Sequence, residues 1–307
     1  MRIGISLPEP EGAQALDLLH DHLAAVADDG FASVWMANIF GLDALTALAV
    51  AGQGIGDIEI GPAVVPTYPR HAAALAQQAL TTDLALHGHL TLGIGLSHKI
   101  VIEDIYGYDF GAPAGHMSEY LSILLPLLNG EQAAFTGKTM RAAIGLSTPR
   151  ARPDRQVPVL LAAMGPQMLK LAAQRTDGTI LWMTGPATVR YYIVPTLNAA
   201  AEAVGKPAPR VVCMLPVCVT DDADAARQRA GQVFEIYGHL PSYRAMLDRE
   251  GAAGPGDVAI VGDEDTVAEQ ISALAGDGVT DFVAGEFATG SDRQRTRALL
   301  KHLIAVH

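Results

Sequence analysis

Short apolar runs alternate with longer amphipathic stretches along most of the chain. The apolar runs are mostly continuous, as is typical of parallel strands that are covered on both faces. The runs predicted as strands are Arg2–Leu7, Ser33–Asn38, Glu59–Val65, Leu90–Gly95, Val157–Ala162, Thr179–Met183, Val211–Val219 and Thr280–Gly285. The stretches between them, such as Gly12–Asp29, place apolar residues three and four positions apart and are predicted as helices.

This alternation of strand and helix favours an α/β fold. A (β/α)8 TIM barrel explains it better than an open doubly wound sheet. No Pro/Ser-rich linker divides the sequence, so residues 1–307 are predicted to form a single domain. Ser97–His116 and a stretch from Thr220 to Asp265 are too long for simple loops, and they predict insertions after strands 4 and 7. Gly130–Gln156 is a further excess before strand 5. The site is expected at the carboxyl ends of the strands.

Charge and composition exclude several classes of function. The formal net charge of −12 argues against a nucleic-acid or anionic-membrane partner. No apolar run approaches the ~20 residues that a membrane span needs, and Pro8 follows the first strand too soon for a secretory leader. The two cysteines, Cys213 and Cys218, lie an odd number of residues apart in one strand and are not expected to pair. A reduced, cytoplasmic protein is the expectation.

Two glycines close the fourth strand, in LTLGIGL. Gly93 and Gly95 are not followed by the third glycine of a dinucleotide-binding fingerprint, and they do not open a helix, so a Rossmann site is not predicted. Glycines at a strand end indicate that something approaches the backbone closely. That neighbour is either a ligand or another part of the chain.

A second glycine junction ends strand 5, in AAMGPQM. Gly165 allows an unusual φ, and Pro166 suits a first helical turn. Because free N–H groups at a helix start attract phosphate, the junction is a candidate anion site. Met183-Thr184-Gly185-Pro186 repeats the layout one unit later and strengthens that interpretation.

The remaining candidates for chemistry are sparse. Asn38 ends strand 2, and His98 follows strand 4 on the expected catalytic rim. No metal-binding spacing, nucleophile elbow or paired acid and base is present. This pattern is typical of an enzyme whose chemistry resides in a bound cofactor.

Taken together, these segments resemble the luciferase-like monooxygenase superfamily, and within it the oxidoreductases that use coenzyme F420, a deazaflavin hydride carrier. The resemblance rests on FASVWMANIF at strand 2, IGPAVVPTYPRHAAALAQQALTTDL at strand 3, and LTLGIGL at strand 4. It extends over VPVLLAAMGPQMLKLAAQRTDGTILWMTGP and AIVGDEDTVAEQISALAGDGVTDFV. The implied fold is a (β/α)8 barrel with insertions.

The resemblance also implies a site. Members set the deazaflavin ring against a bulge at the end of strand 3, often with a non-prolyl cis peptide. The matching residues are Ala63, Val64 and Val65, with Gly95 leaving room beside them. The phosphate would lie at the helix start formed by Ala163, Met164, Gly165, Pro166, Gln167 and Met168. Asn38 matches a polar residue near the reactive edge of the cofactor. Apart from the resemblance, His98 or Tyr106 is the candidate proton donor.

Two departures narrow the expected activity. Sugar-phosphate dehydrogenases of this family carry an Asp-His pair where this chain has Asn38-Ile39, and a glutamate near the position of His98. Hydride transfer between F420 and another small organic substrate is therefore the predicted function. An FMN-dependent monooxygenase and a non-catalytic flavin-binding protein are the alternatives. Family members are often homodimers. The candidate cations for an F420 tail are Arg70, Lys170, Arg175 and Arg190.

Overall fold

The computed structural model of the protein describes residues 1–306. The strands are β1 (Arg2–Leu7), β2 (Ser33–Met36), β3 (Glu59–Pro62), β4 (Val65–Pro66), β5 (Leu92–Gly95), β6 (Ala133–Thr136), β7 (Arg141–Ile144), β8 (Val159–Leu161), β9 (Gly178–Trp182), β10 (Arg210–Val219), β11 (Ile260–Gly262) and β12 (Asp281–Glu286).

Helices fill most of the intervals between strands. The α-helices are α1 (Ala15–Asp28), α2 (Ala44–Ala51), α3 (Ala72–Ala85), α4 (Pro113–Leu128), α5 (Pro166–Arg175), α6 (Pro186–Thr188), α7 (Val194–Glu202), α8 (Ala223–Val233), α9 (Glu235–His239), α10 (Pro241–Glu250), α11 (Glu264–Gly276) and α12 (Gly290–Val306). Val101–Ile105 and Val189–Ile193 are π-helical, and Pro255–Val258 is a 3₁₀ turn.

The chain divides into two compact units. The first unit comprises Pro8–Ala25 and Trp35–Ala162, and the second comprises Met1–Leu7, Val26–Val34 and Ala163–His307. The prediction of a single domain stays a prediction.

Parallel strands organise the first unit. β5 pairs with β4 on one side and with β8 on the other. β3 joins through a parallel bridge between Ile60 and Leu90. Helices α3 and α4 pack together, and both carry buried apolar side chains, which include Leu75, Leu121 and Leu124. Parallel strands that are covered on both faces are apolar throughout. The strands of this unit follow that rule, as the sequence pattern indicates.

The second unit is built around β10, which is buried along nearly its whole length. β10 pairs in parallel with β9, β11 and β12, and β12 pairs in parallel with β1. At the amino ends of these strands the buried Asp281 carboxylate lies 2.8 Å from Arg210 and 3.1 Å from Arg2. Cys213 and Cys218 are both buried and free, as expected for side chains that an odd separation places apart.

The predicted strands are found at the predicted places, with three differences. The strand predicted over Glu59–Val65 is interrupted, because the ladder stops at Pro62 and resumes at Val65. β11 is only three residues long, which is too short to be recognised in the sequence as an apolar run. The antiparallel hairpin β6–β7 lies in the stretch predicted as an insertion, where largely exposed residues leave no apolar pattern.

The hairpin is held by a carboxylate rather than by a core. Glu119 accepts hydrogen bonds from the backbone N–H groups of Lys138, Thr139 and Met140 at 2.6–3.0 Å, and from the Thr139 hydroxyl at 2.7 Å. These donors, with the Thr139 hydroxyl contributing most, lower the pKa of Glu119 to about 2.

Candidate active site

The interruption between β3 and β4 forms a bulge at the carboxyl end of β3. It consists of Ala63 and Val64, both partly exposed, which are joined by a non-prolyl cis peptide as the family resemblance implied. The Ala63 N–H donates to the Met36 carbonyl at 2.8 Å, which ties the bulge to the end of β2. Val65, which follows, is fully buried. The bulge therefore offers a small apolar surface on a fixed backbone.

The glycines of β5 make room for this bulge. A Cβ on Gly93 would lie 2.1 Å from the Pro62 carbonyl oxygen and 3.1 Å from Cγ1 of Val64. A Cβ on Gly95 would lie 2.7 Å from Cγ2 of Val64 and 3.1 Å from Cβ of Ala162. The close neighbour left open by the sequence is therefore the chain itself. Gly95 supports Val64, and its predicted contact with a cofactor stays a prediction.

His98 lies just beyond β5 in a constrained loop. Ser97, which precedes it, has a φ of 62°, a left-handed conformation that is uncommon for a residue other than glycine. The His98 carbonyl accepts from the N–H groups of Val101 and Ile102, both at 2.9 Å, and so begins the π-helix. Burial lowers the pKa of His98, which leaves its imidazole neutral at pH 7. A neutral imidazole can donate or accept one proton at this rim.

Asn38 is used by the fold itself. Its Oδ1 accepts from the Ala44 N–H at 3.0 Å, at the start of α2. Asp43, the N-cap residue, accepts from Thr46 at 3.0 Å and from Gln78 at 2.8 Å, and it pairs with Arg70. Arg70 is therefore engaged with Asp43 and is a weaker candidate for binding a cofactor tail. The predicted catalytic role of Asn38 stays a prediction.

A buried polar network behind the bulge was not foreseen. The Thr67 N–H donates to the Gly95 carbonyl at 2.9 Å, and the Thr67 hydroxyl lies 3.0 Å from Nε2 of His116. The His116 ring stacks on Tyr68, with centroids 3.9 Å apart and planes within 2°. His116 lies in the first turns of α4, and no pattern in the sequence shows that it is buried.

Burial dominates the titration of this stacked pair. It lowers the pKa of His116 to about 4, although the nearby Glu119 acts in the opposite sense. It raises the pKa of Tyr68 to about 12, with Asp109 and Glu103 adding to the shift. Both rings are therefore neutral at pH 7, and the Tyr68 hydroxyl donates to the Phe110 carbonyl at 3.4 Å.

Glu9 is a further unforeseen residue. Its carboxylate accepts from the Leu42 N–H, and a Cβ on Gly41 would lie only 1.7 Å from Oε1. The loop after β1 thus anchors the loop after β2. Phe40 immediately precedes Gly41, the residue that Glu9 approaches.

The predicted phosphate site belongs to the second unit. Gly165 is the N-cap residue of α5, whose first turn has no side-chain cap. Its φ of −84° is ordinary, so this helix start does not use the conformational freedom that glycine allows. A Cβ there would meet nothing within 4 Å. Gln167 is exposed and Met168 is partly exposed, so the free N–H groups of this ten-residue helix are open to an anion.

The second glycine junction, at Gly185, is already occupied by a carboxylate of the chain itself. The Glu250 carboxylate accepts from the Ala187 N–H at 3.0 Å and from the Thr188 N–H at 2.6 Å. A Cβ on Gly185 would lie 2.3 Å from Cδ of Glu250. The repeated layout at Gly185 therefore serves a contact within the chain and does not support an anion site.

Residues 1–306 contain no cluster of three or more His, Cys, Asp or Glu side chains arranged to hold a metal ion. Within the same residues, none of the helices has the length and apolarity needed to cross a membrane.

The chain is similar to known proteins in sequence and in fold. A putative coenzyme F420-dependent oxidoreductase of Mycobacterium tuberculosis is 28% identical over 340 residues, which cover 92% of this chain and 94% of the relative. The F420-dependent tetrahydromethanopterin reductase of Methanopyrus kandleri superposes with a TM-score of 0.83 at 22% identity, covering 100% of this chain and 99% of that chain.

A second similar structure holds FMN. It is the oxygenating constituent of 3,6-diketocamphane monooxygenase of Pseudomonas putida, with a TM-score of 0.76 at 17% identity and coverage of 99% and 96%. These superpositions confirm the predicted luciferase-like barrel fold.

The family model described as luciferase-like monooxygenase matches residues 1–281, which is most of the chain. The resemblance identified from the strand-end segments is thereby confirmed, and the chain belongs to the luciferase-like monooxygenase family.

Proposed function

We propose that the protein is a coenzyme F420-dependent oxidoreductase that transfers hydride between the deazaflavin and a small organic substrate. The observation that carries the proposal is the Ala63–Val64 bulge, an apolar surface at a strand end for which Gly93 and Gly95 leave room. The named relatives support it, since one is a putative F420-dependent oxidoreductase and another an F420-dependent reductase.

The residues present fit the cofactor in two respects. Ala63 and Val64 offer a rigid apolar surface for one face of a planar ring. The uncapped start of α5 at Gly165 offers free N–H groups for a phosphate. When bound, F420 supplies a two-electron hydride donor or acceptor, so the protein needs few reactive groups of its own.

The chain's own contribution is binding and proton handling. The neutral imidazole of His98, on the loop after β5, is the proposed group that gives a proton to the substrate or takes one from it. Ala63, Val64 and Val65 would orient the ring, with Gly95 supporting Val64. The helix start from Ala163 to Met168 would bind the phosphate.

A titration with F420, FMN and nicotinamide cofactors side by side tests the proposal. Saturable quenching of F420 fluorescence is expected, with weaker binding of FMN. Tight FMN binding with a yellow protein would instead favour the monooxygenase alternative. F420 that binds but exchanges hydride with none of a panel of ketones, imines and activated alkenes would favour a non-catalytic binding protein.

Two variants at one position test the phosphate site. Because a Cβ on Gly165 meets nothing within 4 Å, Gly165→Ala is expected to fold and to bind F420 as the wild type does. Gly165→Asp places a carboxylate at the same helix start, and we expect it to weaken F420 binding by about tenfold or more, by repulsion and by capping the free N–H groups. Equal affinity of the two variants would contradict the assignment of phosphate to this helix.

The proposal extends to assembly and location. A homodimer in the cytoplasm is proposed, and the two free thiols agree with that location. Light scattering on the purified protein measures the oligomeric state, and fractionation of the source cells measures the location.

A further inference from the structure

Two aromatic side chains from different loops meet above the ends of strands in the first unit. Phe40, on the loop after β2, is 60% exposed, and Tyr106, at the end of the π-helix Val101–Ile105, is 39% exposed. Their ring centroids lie 6.4 Å apart with the planes tilted by 51°. This is the range in which aromatic rings attract one another, so the contact couples the two loops.

The loops that carry these rings start on either side of the bulge. Phe40 lies four residues beyond Met36, whose carbonyl binds the Ala63 N–H. The π-helix begins shortly after Gly95, against which Val64 packs. The bulge therefore lies between the two strand ends from which the Phe40 and Tyr106 loops depart.

Further exposed apolar side chains lie on the same two loops. With Phe40 and Tyr106 they make up what we call the aromatic rim: Ile39, Phe40, Ile100, Ile105, Tyr106 and Tyr108. Single exposed apolar residues need no explanation, but several on two neighbouring loops at a strand end indicate a binding surface. The loop after β2 is also anchored by the Glu9 carboxylate at the Leu42 N–H, which fixes it in place before any ligand arrives.

Charge around the rim opposes an anionic ligand. The carboxylates on or beside these loops are Glu9, Asp43, Glu103, Asp104 and Asp109, and the cations are Lys99 and Arg70. Both cations are engaged, since Lys99 lies 3.6 Å from Glu103 and Arg70 pairs with Asp43. A carboxylate or phosphate on the ligand would find repulsion here, whereas an uncharged ring would find apolar and aromatic contact.

We propose that the aromatic rim binds the substrate, and that the substrate is an uncharged aromatic molecule rather than an anion. The inference rests on the proposed function, because it assigns the substrate class of that site. For an aryl ketone the reaction adds hydride to the carbonyl carbon and a proton to the carbonyl oxygen, giving the secondary alcohol, with reduced F420 as the two-electron donor.

Binding to the purified protein tests the inference without turnover. Dissociation constants for acetophenone and for benzoate, which has the same ring with a carboxylate, are measured by calorimetry and by ligand-observed NMR. The measurements are made with and without F420. We expect acetophenone to bind at least tenfold more tightly than benzoate.

Variants locate the site on the rim. Phe40→Ala and Tyr106→Ala are each expected to weaken acetophenone binding by about 2- to 12-fold, and Tyr106→Phe to change it by less than twofold. Tyr191→Ala removes another exposed ring, on the π-helix of the second unit, and is the matched control with no expected effect. Because the rim side chains are exposed, all four variants are expected to fold.

The outcomes separate the two proposals. Benzoate binding as tightly as acetophenone, or rim variants indistinguishable from Tyr191→Ala, would overturn the rim assignment even if F420 binds normally. A rim that binds no ligand but whose variants dissociate a dimer would also overturn it, because a second copy would then be the occupant. Failure of F420 to bind, with acetophenone binding intact, would refute the proposed function and leave the aromatic site standing.

Discussion

The packing of Val64 against β5 makes a quantitative prediction about two glycines. Gly95→Ala places a Cβ 2.7 Å from Cγ2 of Val64, about 1 Å inside an ordinary carbon contact. Overpacking of this kind costs about 1–3 kcal/mol. Gly93→Ala places its Cβ 2.1 Å from a backbone carbonyl oxygen, which cannot rotate away. We therefore expect Gly93→Ala to be the more damaging change, at about 3 kcal/mol or more.

The structure also predicts which of the two can be rescued. Val64→Ala removes the 2.7 Å contact with Cγ2, and the nearest remaining atom to the new Cβ at position 95 is then Cβ of Ala162, at 3.1 Å. The Gly95→Ala/Val64→Ala double variant should therefore recover about 1–2 kcal/mol relative to the sum of the single changes. Val64→Ala should not rescue Gly93→Ala, because the Pro62 carbonyl remains.

Thermal unfolding provides the assay. With an unfolding entropy of about 2.1 cal/mol/K per residue, 2 kcal/mol corresponds to roughly 3 °C for a chain of this length. Gly56→Ala is the control, since its Cβ meets nothing within 4 Å and its φ is not positive. A Gly95→Ala variant as stable as Gly56→Ala, or a double variant whose losses simply add, would refute the argument that Gly95 exists to accommodate Val64.

Three further predictions concern His116, Asn38 and Glu250, whose contacts in the structure were not predicted from the sequence. Because His116 has a folded pKa of about 4 against roughly 6.5 in the unfolded chain, its contribution to stability is complete above pH 6.5 and is lost as the pH falls towards 4. Denaturation at pH 7 and at pH 4.5 measures how much free energy of unfolding each protein loses between the two pH values. His116→Phe should lose about 2 kcal/mol less than the wild type, after allowance for solvent screening. Equal losses would contradict the buried neutral imidazole. Asn38→Ala should cost about 1 kcal/mol through loss of the bond to the Ala44 N–H, whereas Asn38→Asp should retain stability; an Asp variant of full stability but reduced kcat would show that Asn38 has more than this structural role. Glu250→Ala should cost about 1–3 kcal/mol because it leaves the Ala187 and Thr188 N–H groups without their acceptor; calorimetry showing an unchanged Tm would disprove that contact.

The order of strands and helices along the chain could be predicted from the sequence, whereas the location of the cofactor site stays a prediction. Continuous apolar runs alternating with amphipathic stretches arise because both faces of a parallel sheet are covered, so they survive in any sequence of this fold. The AVVP segment after β3 and the AMGPQ segment before α5 carried the family resemblance. Short or exposed elements could not be predicted in this way: β11 has three residues, and the β6–β7 hairpin is held by the Glu119 carboxylate instead of an apolar face.

What each glycine and each polar residue does was decided only by the tertiary structure. Gly165 and Gly185 stand in the same local sequence, yet one helix start is open and the other is filled by Glu250, which lies more than sixty residues away along the chain. Asn38 and His98 were both candidates for chemistry, and only the structure shows that Asn38 accepts from the Ala44 N–H at the start of α2 and that burial lowers the pKa of His98. The sequence by itself determined which segments are strands and which are helices, because the spacing of apolar residues within each segment is a local property. Only the tertiary structure could decide which side chain meets which backbone group, because those contacts join residues far apart in the chain.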